Sequence, residues 1–127
     1  MGAREPEGVN ADEAVFDELI HFPARLRICG LLRRADAVAF RTLEDALELP
    51  ASQLSRHLKA MAEAGYVSVS KTTSPDRRDA RRVAWVTLTP TGRSALDRHM
   101  AALTLIAQGQ EVGAARDRDG IYGSTGR

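Results

Sequence analysis

The chain has 127 residues, a formal net charge of +1 and a single cysteine, Cys29. This length fits one domain, and 43% hydrophobic residues are enough for one core. One cysteine excludes an internal disulfide and a C-x-x-C site, so we expect neither a metal nor a cofactor. The sequence lacks both an apolar run of about 18 residues and a signal-peptide layout, which predicts a cytoplasmic protein without a membrane partner.

Composition divides the chain into three segments. A polar arm over residues 1–11 precedes a folded domain, which we predict over residues 12–108. A polar tail rich in Gly, Arg, Asp and Ser follows over residues 109–127, and this composition is typical of a mobile segment. The folded domain therefore has about one hundred residues.

The first part of this domain has helical spacing. Apolar residues from Ala14 to Ile20, with Asn10 or Asp12 as the N-cap, predict a first helix. Pro23 suits the first turn of a second helix, and Phe40 is predicted to begin a very short strand.

A helix-turn-helix layout follows. Thr42 and Asp45 have the spacing of a capping box for a short helix over residues 43–48. A turn at 49–51 then leads to a helix over residues 52–64.

The segment after this motif predicts a hairpin and a last helix. Gly65 is the expected stop of the preceding helix, and residues 67–70 and 83–88 alternate as two antiparallel strands do. Thr89 then serves as the N-cap of a final helix that has Pro90 at its first position.

The second helix of the motif has two chemically distinct faces. Leu54, Leu58 and Met61 form one apolar stripe that can pack against a core. The other face is polar and can contact a base edge or a phosphate: Ser52, Gln53, Ser55, Arg56 and Lys59. This pattern predicts a DNA-recognition helix.

Charge is segregated along the chain despite the small net value. Residues 1–20 hold one Arg against six acidic residues, whereas residues 71–82 hold five basic residues against two acidic ones. The basic hairpin residues predicted to contact DNA are Lys71, Arg77, Arg78 and Arg81. A hairpin tip that is merely solvated is the alternative explanation for this cluster.

Five sequence segments resemble the winged helix-turn-helix bacterial regulators of the MarR and ArsR families. They are Pro23–Ile28, Leu54–Lys59, Glu63–Val67, Asp76–Arg81 and Leu88–Arg93. The resemblance implies a mainly α fold with a small antiparallel β-hairpin wing (α+β), with amino- and carboxy-terminal dimerisation helices. It also implies a dimeric repressor or activator that binds double-stranded DNA.

This sequence differs from the two families in two respects. Metal sensors of the ArsR family carry paired cysteines or Asp and His sets, whereas the last helix here offers only Asp97 and His99. The chain is also shorter than typical MarR proteins, which places it closer to the small, minimal winged-helix regulators. An effector is possible in such a protein, but the sequence does not identify it.

The resemblance assigns roles to particular side chains. The recognition helix would enter the major groove, with Gln53 pairing with adenine and Arg56 with guanine. Lys59 would contact the backbone, and Arg77 and Arg78 would reach the adjacent minor groove or the backbone. The protein would bind a near-palindromic operator.

A homodimer is predicted from apolar residues at both ends of the folded domain. They exceed what a small core needs: Phe16, Leu19, Ile20, Leu96, Met100, Leu103 and Ile106. His21 and His99 could meet near that interface. His57 and Cys29 are predicted to be structural, although oxidation of Cys29 stays an alternative.

Two other function classes were compared with DNA binding. An enzyme is not expected, because the sequence shows neither a nucleophile paired with a base nor a phosphate-binding glycine loop. The serious alternative is a winged-helix module that contacts protein or RNA without binding an operator. Salt-dependent binding to duplex DNA separates these two functions.

Overall fold

The computed structural model describes residues 14–73 and 82–115. In chain order the elements are β1 (Val15–Phe16), α1 (Pro23–Arg33), β2 (Val38–Ala39), α2 (Phe40–Leu47), α3 (Ala51–Glu63), β3 (Val67–Thr73), β4 (Arg82–Leu88), α4 (Pro90–Ala107) and β5 (Gly113–Ala114). The described residues fall into two compact units. One contains residues 23–73 and 82–93, and the other contains residues 14–22 and 94–115. Together the elements form a winged-helix fold, as predicted.

The larger unit has a core of aliphatic side chains. Helices α1 and α2 contact each other and pack on β4, while α3 packs on β3. Its buried apolar residues are Ile28, Cys29, Leu32, Leu43, Leu47, Leu54, Leu58, Met61, Val67, Val86 and Leu88. Each large aliphatic side chain contributes about 1.5–3 kcal/mol by leaving water, so this core holds the three helices on the sheet.

The sheet of this unit has three antiparallel strands in the order β2-β4-β3. Val67 pairs with Leu88 and Val69 with Val86, which places these four side chains on one face. This register confirms the predicted hairpin and its alternation. The sheet also contains the short strand β2, in which Ala39 pairs with Trp85 of β4.

The first helix of the motif begins earlier than predicted. Phe40 starts α2 and does not start a strand, because the short strand ends at Ala39. The predicted capping box is also wrong: the N-cap is Ala39, which makes no side-chain cap hydrogen bond, and Thr42 lies inside the helix. Extended Ala39 leads from β2 directly into the helix, so the sheet positions the helix start.

The turn between α2 and α3 uses two special backbone conformations. Glu48 follows α2 in the left-handed region with φ 55°, and its N–H donates to the carbonyl of Glu44. Pro50, the N-cap of α3, is extended with φ −61° and ψ 149°, as N-cap residues usually are. The helix itself spans Ala51–Glu63, within one residue of the predicted bounds.

Gly65 ends α3 as predicted. Its φ of +83° is accessible to glycine without strain, and the N–H of Tyr66 donates to the carbonyl of Met61 at 2.9 Å, which satisfies the helix end. The predicted cap of α4 is also confirmed, because Thr89 Oγ1 accepts from the N–H of Gly92 at 2.9 Å. Thr89 Oγ1 donates in turn to the carbonyl of Gly65 at 2.6 Å.

The amino-terminal helix predicted through Ala14–Ile20 is wrong for the described residues. Val15 and Phe16 instead form β1, which pairs in parallel with Gly113 and Ala114 of β5. Asp17 Oδ1 accepts from the N–H groups of Leu19 and Ile20 at 2.9 and 3.3 Å, which fixes a tight turn directly after the strand. The segment is therefore a short strand followed by a tight turn.

The predicted tail begins at 109, but part of it is ordered into this strand pair. The N–H of Ala115 donates to the carbonyl of Phe16 at 2.7 Å, next to the pairing of β5 with β1. Residues 1–13, 74–81 and 116–127 lie outside the described part. Within that part, no helix is both long enough and apolar enough to cross a membrane.

Candidate nucleic-acid interface

The two faces of α3 are separated as the sequence predicted. Leu54 and Met61 are fully buried and Leu58 is 3% exposed, so one side of the helix is anchored in the core. All five polar candidates are exposed: Ser52, Gln53, Ser55, Arg56 and Lys59. A rigid helix therefore presents amide, hydroxyl, guanidinium and ammonium groups on one surface.

The amino-terminal end of α3 is suited to an anion. Its first turn contains no acidic residue, and no side chain caps it at Pro50. The N–H of Leu54 is the first to be used within the helix, donating to the carbonyl of Pro50 at 3.0 Å. The preceding N–H groups and the helix dipole favour negative charge at this end.

A hydrogen bond connects this helix to α1. Arg25 Nε donates to His57 Nδ1 at 3.0 Å, so Nδ1 must be the acceptor and the imidazole must be neutral. Burial lowers the pKa of His57, and the charges of Arg25 and Arg56 lower it further. His57 is half-buried, which agrees with the predicted structural role.

The wing is described along its two strands but not at its tip. Lys71 is exposed on β3 and pairs with Ala84 of β4. Arg77, Arg78 and Arg81, the predicted tip contacts, lie outside the described residues. The described part therefore brings Lys71 and the polar face of α3 into one unit.

The predicted dimerisation residues fall into three groups by exposure. Ile20 is fully buried and Leu96 is 5% exposed within the single chain, so neither side chain is on a free surface. Phe16, Leu19 and Leu103 are half-buried. Met100 and Ile106 remain exposed on α4, at 47% and 42%.

His21 and His99 do meet, but within one chain. His21 Nδ1 lies 3.2 Å from His99 Nε2, and the Phe16 ring contacts both imidazoles with centroids 4.8 and 4.7 Å away. The backbone N–H of Asp17 donates to His99 Nδ1 at 2.9 Å, which requires neutral His99. Burial lowers the pKa of His99, and His21 lowers it further, whereas Asp17 acts in the opposite direction.

Two of these contacts involve residues that sequence reasoning missed. Arg25 lies 32 residues before His57, and Asp17 lies 82 residues before His99. Neither pair has a spacing signal, because both contacts depend on tertiary packing.

Cys29 is fully buried, as predicted for a core residue. In residues 14–73 and 82–115, no three His, Cys, Asp or Glu side chains group as metal ligands.

Residues 24–107 match the winged helix DNA-binding domain family. This match covers more than half of the chain, so the protein belongs to that family. The family is defined by a DNA-binding domain and is not a family of enzymes. No curated protein sequence matches the chain.

The family match confirms the winged-helix resemblance seen in the sequence, and several solved structures of similar fold are described as transcriptional regulators. A transcriptional regulator homologue from Pyrococcus horikoshii OT3 is 22% identical with a TM-score of 0.65, over 72% of this chain and 86% of that one. YusO from Bacillus subtilis is 14% identical with a TM-score of 0.56, over 72% and 62%.

A third similar structure is that of a regulator with a known effector. BpsR from Bordetella bronchiseptica, whose DNA binding is regulated by 6-hydroxynicotinic acid, is 21% identical with a TM-score of 0.55. The match covers 72% of this chain and 66% of BpsR. The chain thus spans slightly less than two thirds of YusO and of BpsR, and identities this low establish the fold alone.

Proposed function

We propose that the protein is a sequence-specific transcriptional regulator that binds double-stranded DNA through α3. The observation that carries this proposal is the exposed polar face of α3 opposite its buried stripe. A helix fixed by three buried apolar side chains keeps Gln53 and Arg56 in defined positions, as base readout requires.

The position of each side chain on α3 supports a division of roles. Gln53 and Arg56 are within the first two turns, the part of a recognition helix that contacts base edges, and both have bidentate chemistry. Lys59 follows one turn later and is assigned to the backbone. Lys71 on β3 is assigned to phosphate, together with the arginines at the wing tip.

A salt titration with single variants tests these roles. The affinity for an operator duplex should fall with salt by a log-log slope of about −0.9 for each neutralised phosphate. Lys71→Ala should reduce that slope by about 1 and weaken binding to all duplexes alike. Gln53→Ala should cost about 1–3 kcal/mol on the operator and little on a scrambled duplex.

Two control variants are matched to Lys71→Ala, which loses a positive charge, and to Gln53→Ala, which loses an amide. Arg34→Ala removes an exposed positive charge after α1, and Gln108→Ala removes an exposed amide after α4. Both should keep wild-type affinity. Salt-independent or absent binding to duplex DNA would favour the protein- or RNA-interaction module instead.

We also propose that the protein is a homodimer that uses α4. Met100, Leu103 and Ile106 recur every three residues along one side of this helix, and two of them remain exposed in the single chain. A symmetric dimer would place two copies of α3 on half-sites about one helical turn, ~34 Å, apart.

The dimer is tested by sedimentation at micromolar concentration. Met100→Glu should shift the protein towards monomer, because it places a charge in the apolar seam. Glu111→Gln changes an exposed charge beyond α4 and is the control. A wild-type protein that sediments only as monomer would contradict the proposal.

We further propose that the protein is cytoplasmic, that it associates with the nucleoid and that a small-molecule effector controls its DNA binding. The effector is supported by the regulation of BpsR by 6-hydroxynicotinic acid. NadR, another structure of similar fold, is known in complex with 4-hydroxyphenylacetate. Whether the regulator represses or activates follows from where the operator lies relative to a promoter.

A further inference from the structure

Helix α3 meets different elements on its two flanks. Ser55 and Ala62 lie on one flank, where they line an open space together with Lys71 of the wing strand β3. His57 lies on the opposite flank, about 160° around the helix from Ser55, because an α-helix has about 3.6 residues per turn. On that flank the Nε of Arg25, from α1, donates to His57 Nδ1 at 3.0 Å. The exposed face of α3 therefore runs between the wing on one side and α1 on the other.

The flank that faces α1 lies beside a residue assigned to base readout. His57 follows Gln53 by four residues, so the two side chains are neighbours on the helix surface. The α3 residues on this flank are Gln53, His57 and Ala60, and none of them is charged when His57 is neutral. Arg25, the third residue of α1, therefore brings a positive charge to this flank from another helix.

The imidazole of His57 holds the guanidinium of Arg25 in one direction. Both side chains are half-buried, and burial followed by the charges of Arg25 and Arg56 lowers the pKa of His57, which keeps the acceptor neutral near pH 7. A guanidinium has five N–H donors in one plane, so it can donate to a histidine and to a phosphate at the same time. A side chain that is already held loses less conformational entropy when it binds an anion.

A helix in the major groove has a phosphate backbone along each of its flanks. The groove is about 12 Å wide and a helix with its side chains is about 10–12 Å across, so both DNA strands run close to it. The wing flank offers the exposed ammonium groups of Lys59 and Lys71 to one strand. On the other flank, Arg25 is placed against α3 where the second strand would run.

We propose that Arg25 binds a phosphate of the DNA strand that lies across the major groove from the strand contacted by Lys71. His57 is the positioning residue that holds the guanidinium of Arg25 for this contact. The recognition helix is then held between two backbone contacts, one from the wing and one from α1, which fix its register on the bases. This inference rests on the proposed function, because it requires α3 to lie in the major groove.

Arg25→Gln tests the contact, because it removes the charge and keeps an N–H donor for His57. Binding to an operator duplex should weaken about fivefold at about 0.15 M salt and about fifteenfold at about 0.05 M, the counterion-release values of one phosphate. The log-log salt slope should become less steep by about 0.9, and Arg25→Lys, which restores the charge, should recover the wild-type slope. Arg27→Gln removes an exposed charge on another side of α1 and is the control, with wild-type affinity and slope expected.

A scan with neutral methylphosphonates identifies the phosphate that Arg25 contacts. Each phosphate of the operator duplex is replaced in turn, and binding is measured for the wild type, Arg25→Gln and Lys71→Ala. One replacement in each half-site should weaken the wild type about fivefold but Arg25→Gln less than about twofold. This position should lie across the major groove from the replacement to which Lys71→Ala is insensitive.

A double-mutant cycle tests the positioning role of His57. His57→Leu removes the acceptor, so it should weaken duplex binding at least about threefold when Arg25 is present and less than about 1.5-fold in Arg25→Gln. His57→Gln keeps an acceptor for Arg25 Nε and should bind within about twofold of the wild type. A residue that only supported the fold would weaken binding equally in both backgrounds.

The failure of this contact is distinguishable from the failure of the proposed function. A wild type that binds duplex DNA with a steep salt slope, together with an unchanged slope for Arg25→Gln, would overturn the contact and leave the proposed function intact. Equal weakening by His57→Leu with and without Arg25 would overturn the positioning role. A wild type without salt-dependent binding to duplex DNA would overturn the proposed function and this contact with it.

Discussion

Gly92 provides the sharpest test of how the wing is joined to α4. It is the third residue of that helix, where its N–H donates to Thr89 Oγ1. A Cβ at this position would lie 2.8 Å from the carbonyl carbon of Tyr66 and 2.9 Å from Leu88 Cδ1, with the Tyr66 oxygen closer still. Two of these three atoms are backbone, so no side-chain rotation relieves the overlap.

The expected change in the free energy of unfolding for Gly92→Ala is the sum of opposing effects. Forcing a methyl group into a filled site costs about 1–3 kcal/mol, and disturbing the Thr89 cap costs about 1 kcal/mol more. Alanine in a helix recovers about 1 kcal/mol relative to glycine. We therefore expect the free energy of unfolding to fall by about 1–3 kcal/mol.

Gly30→Ala is the matched control, since an added Cβ on the exposed surface of α1 meets no atom within 4 Å. It should raise the free energy of unfolding by about 0.5–1 kcal/mol. Equilibrium urea unfolding followed by circular dichroism measures both variants. If Gly92→Ala proves as stable as Gly30→Ala, the close approach of α4 to Tyr66 is wrong.

Three further predictions concern single side chains. Thr89→Ala should lower the free energy of unfolding by about 1 kcal/mol in urea, because the N-cap bond is lost; an unchanged value would argue against the cap. His99 has a lowered pKa and is neutral when folded, so its contribution to stability is complete above its unfolded pKa of about 6.5 and is lost as the pH falls through the lower folded pKa. His99→Gln, which keeps an acceptor for the Asp17 N–H, should reduce the loss of thermal stability as the pH falls below about 6.5, and an equally steep profile would contradict this origin. Cys29 should react with iodoacetamide slowly in the native protein and rapidly in urea; rapid native labelling would show that the thiol is accessible.

Elements with strong local signals were predictable. Helix α3 has a buried face and an exposed face and ends at Gly65, and Thr89-Pro90 begins α4. Each of these signals acts within a few residues of the structure that it specifies. The exposed polar surface of α3 could be predicted for the same reason, since exposure there follows from helical spacing.

The errors all fall where distant residues decide the outcome. The segment from Ala14 to Ile20 has helical spacing, yet it pairs with residues almost one hundred positions away in β5. Likewise α2 starts at Phe40 because Ala39 is extended by its pairing with Trp85. Sequence patterns report local preference, and these contacts override it.

The candidate site was only partly predictable for a related reason. The polar residues on α3 were identified from helical spacing. The open space between Ala62 of α3 and the strands β3 and β4 was not, because such a space depends on how two elements pack against each other. The tether from Arg25 to His57 was likewise invisible in the sequence.

The central claim is that α3 reads DNA sequence, and selection from a random duplex library tests it most directly. The wild type should enrich a near-palindromic motif with half-sites about one helical turn apart. Arg56→Ala should lose the preference for one guanine in each half-site, while Lys71→Ala should recover the same motif at lower affinity. Enrichment of no motif, or of an unchanged motif by Arg56→Ala at wild-type affinity, would contradict the claim.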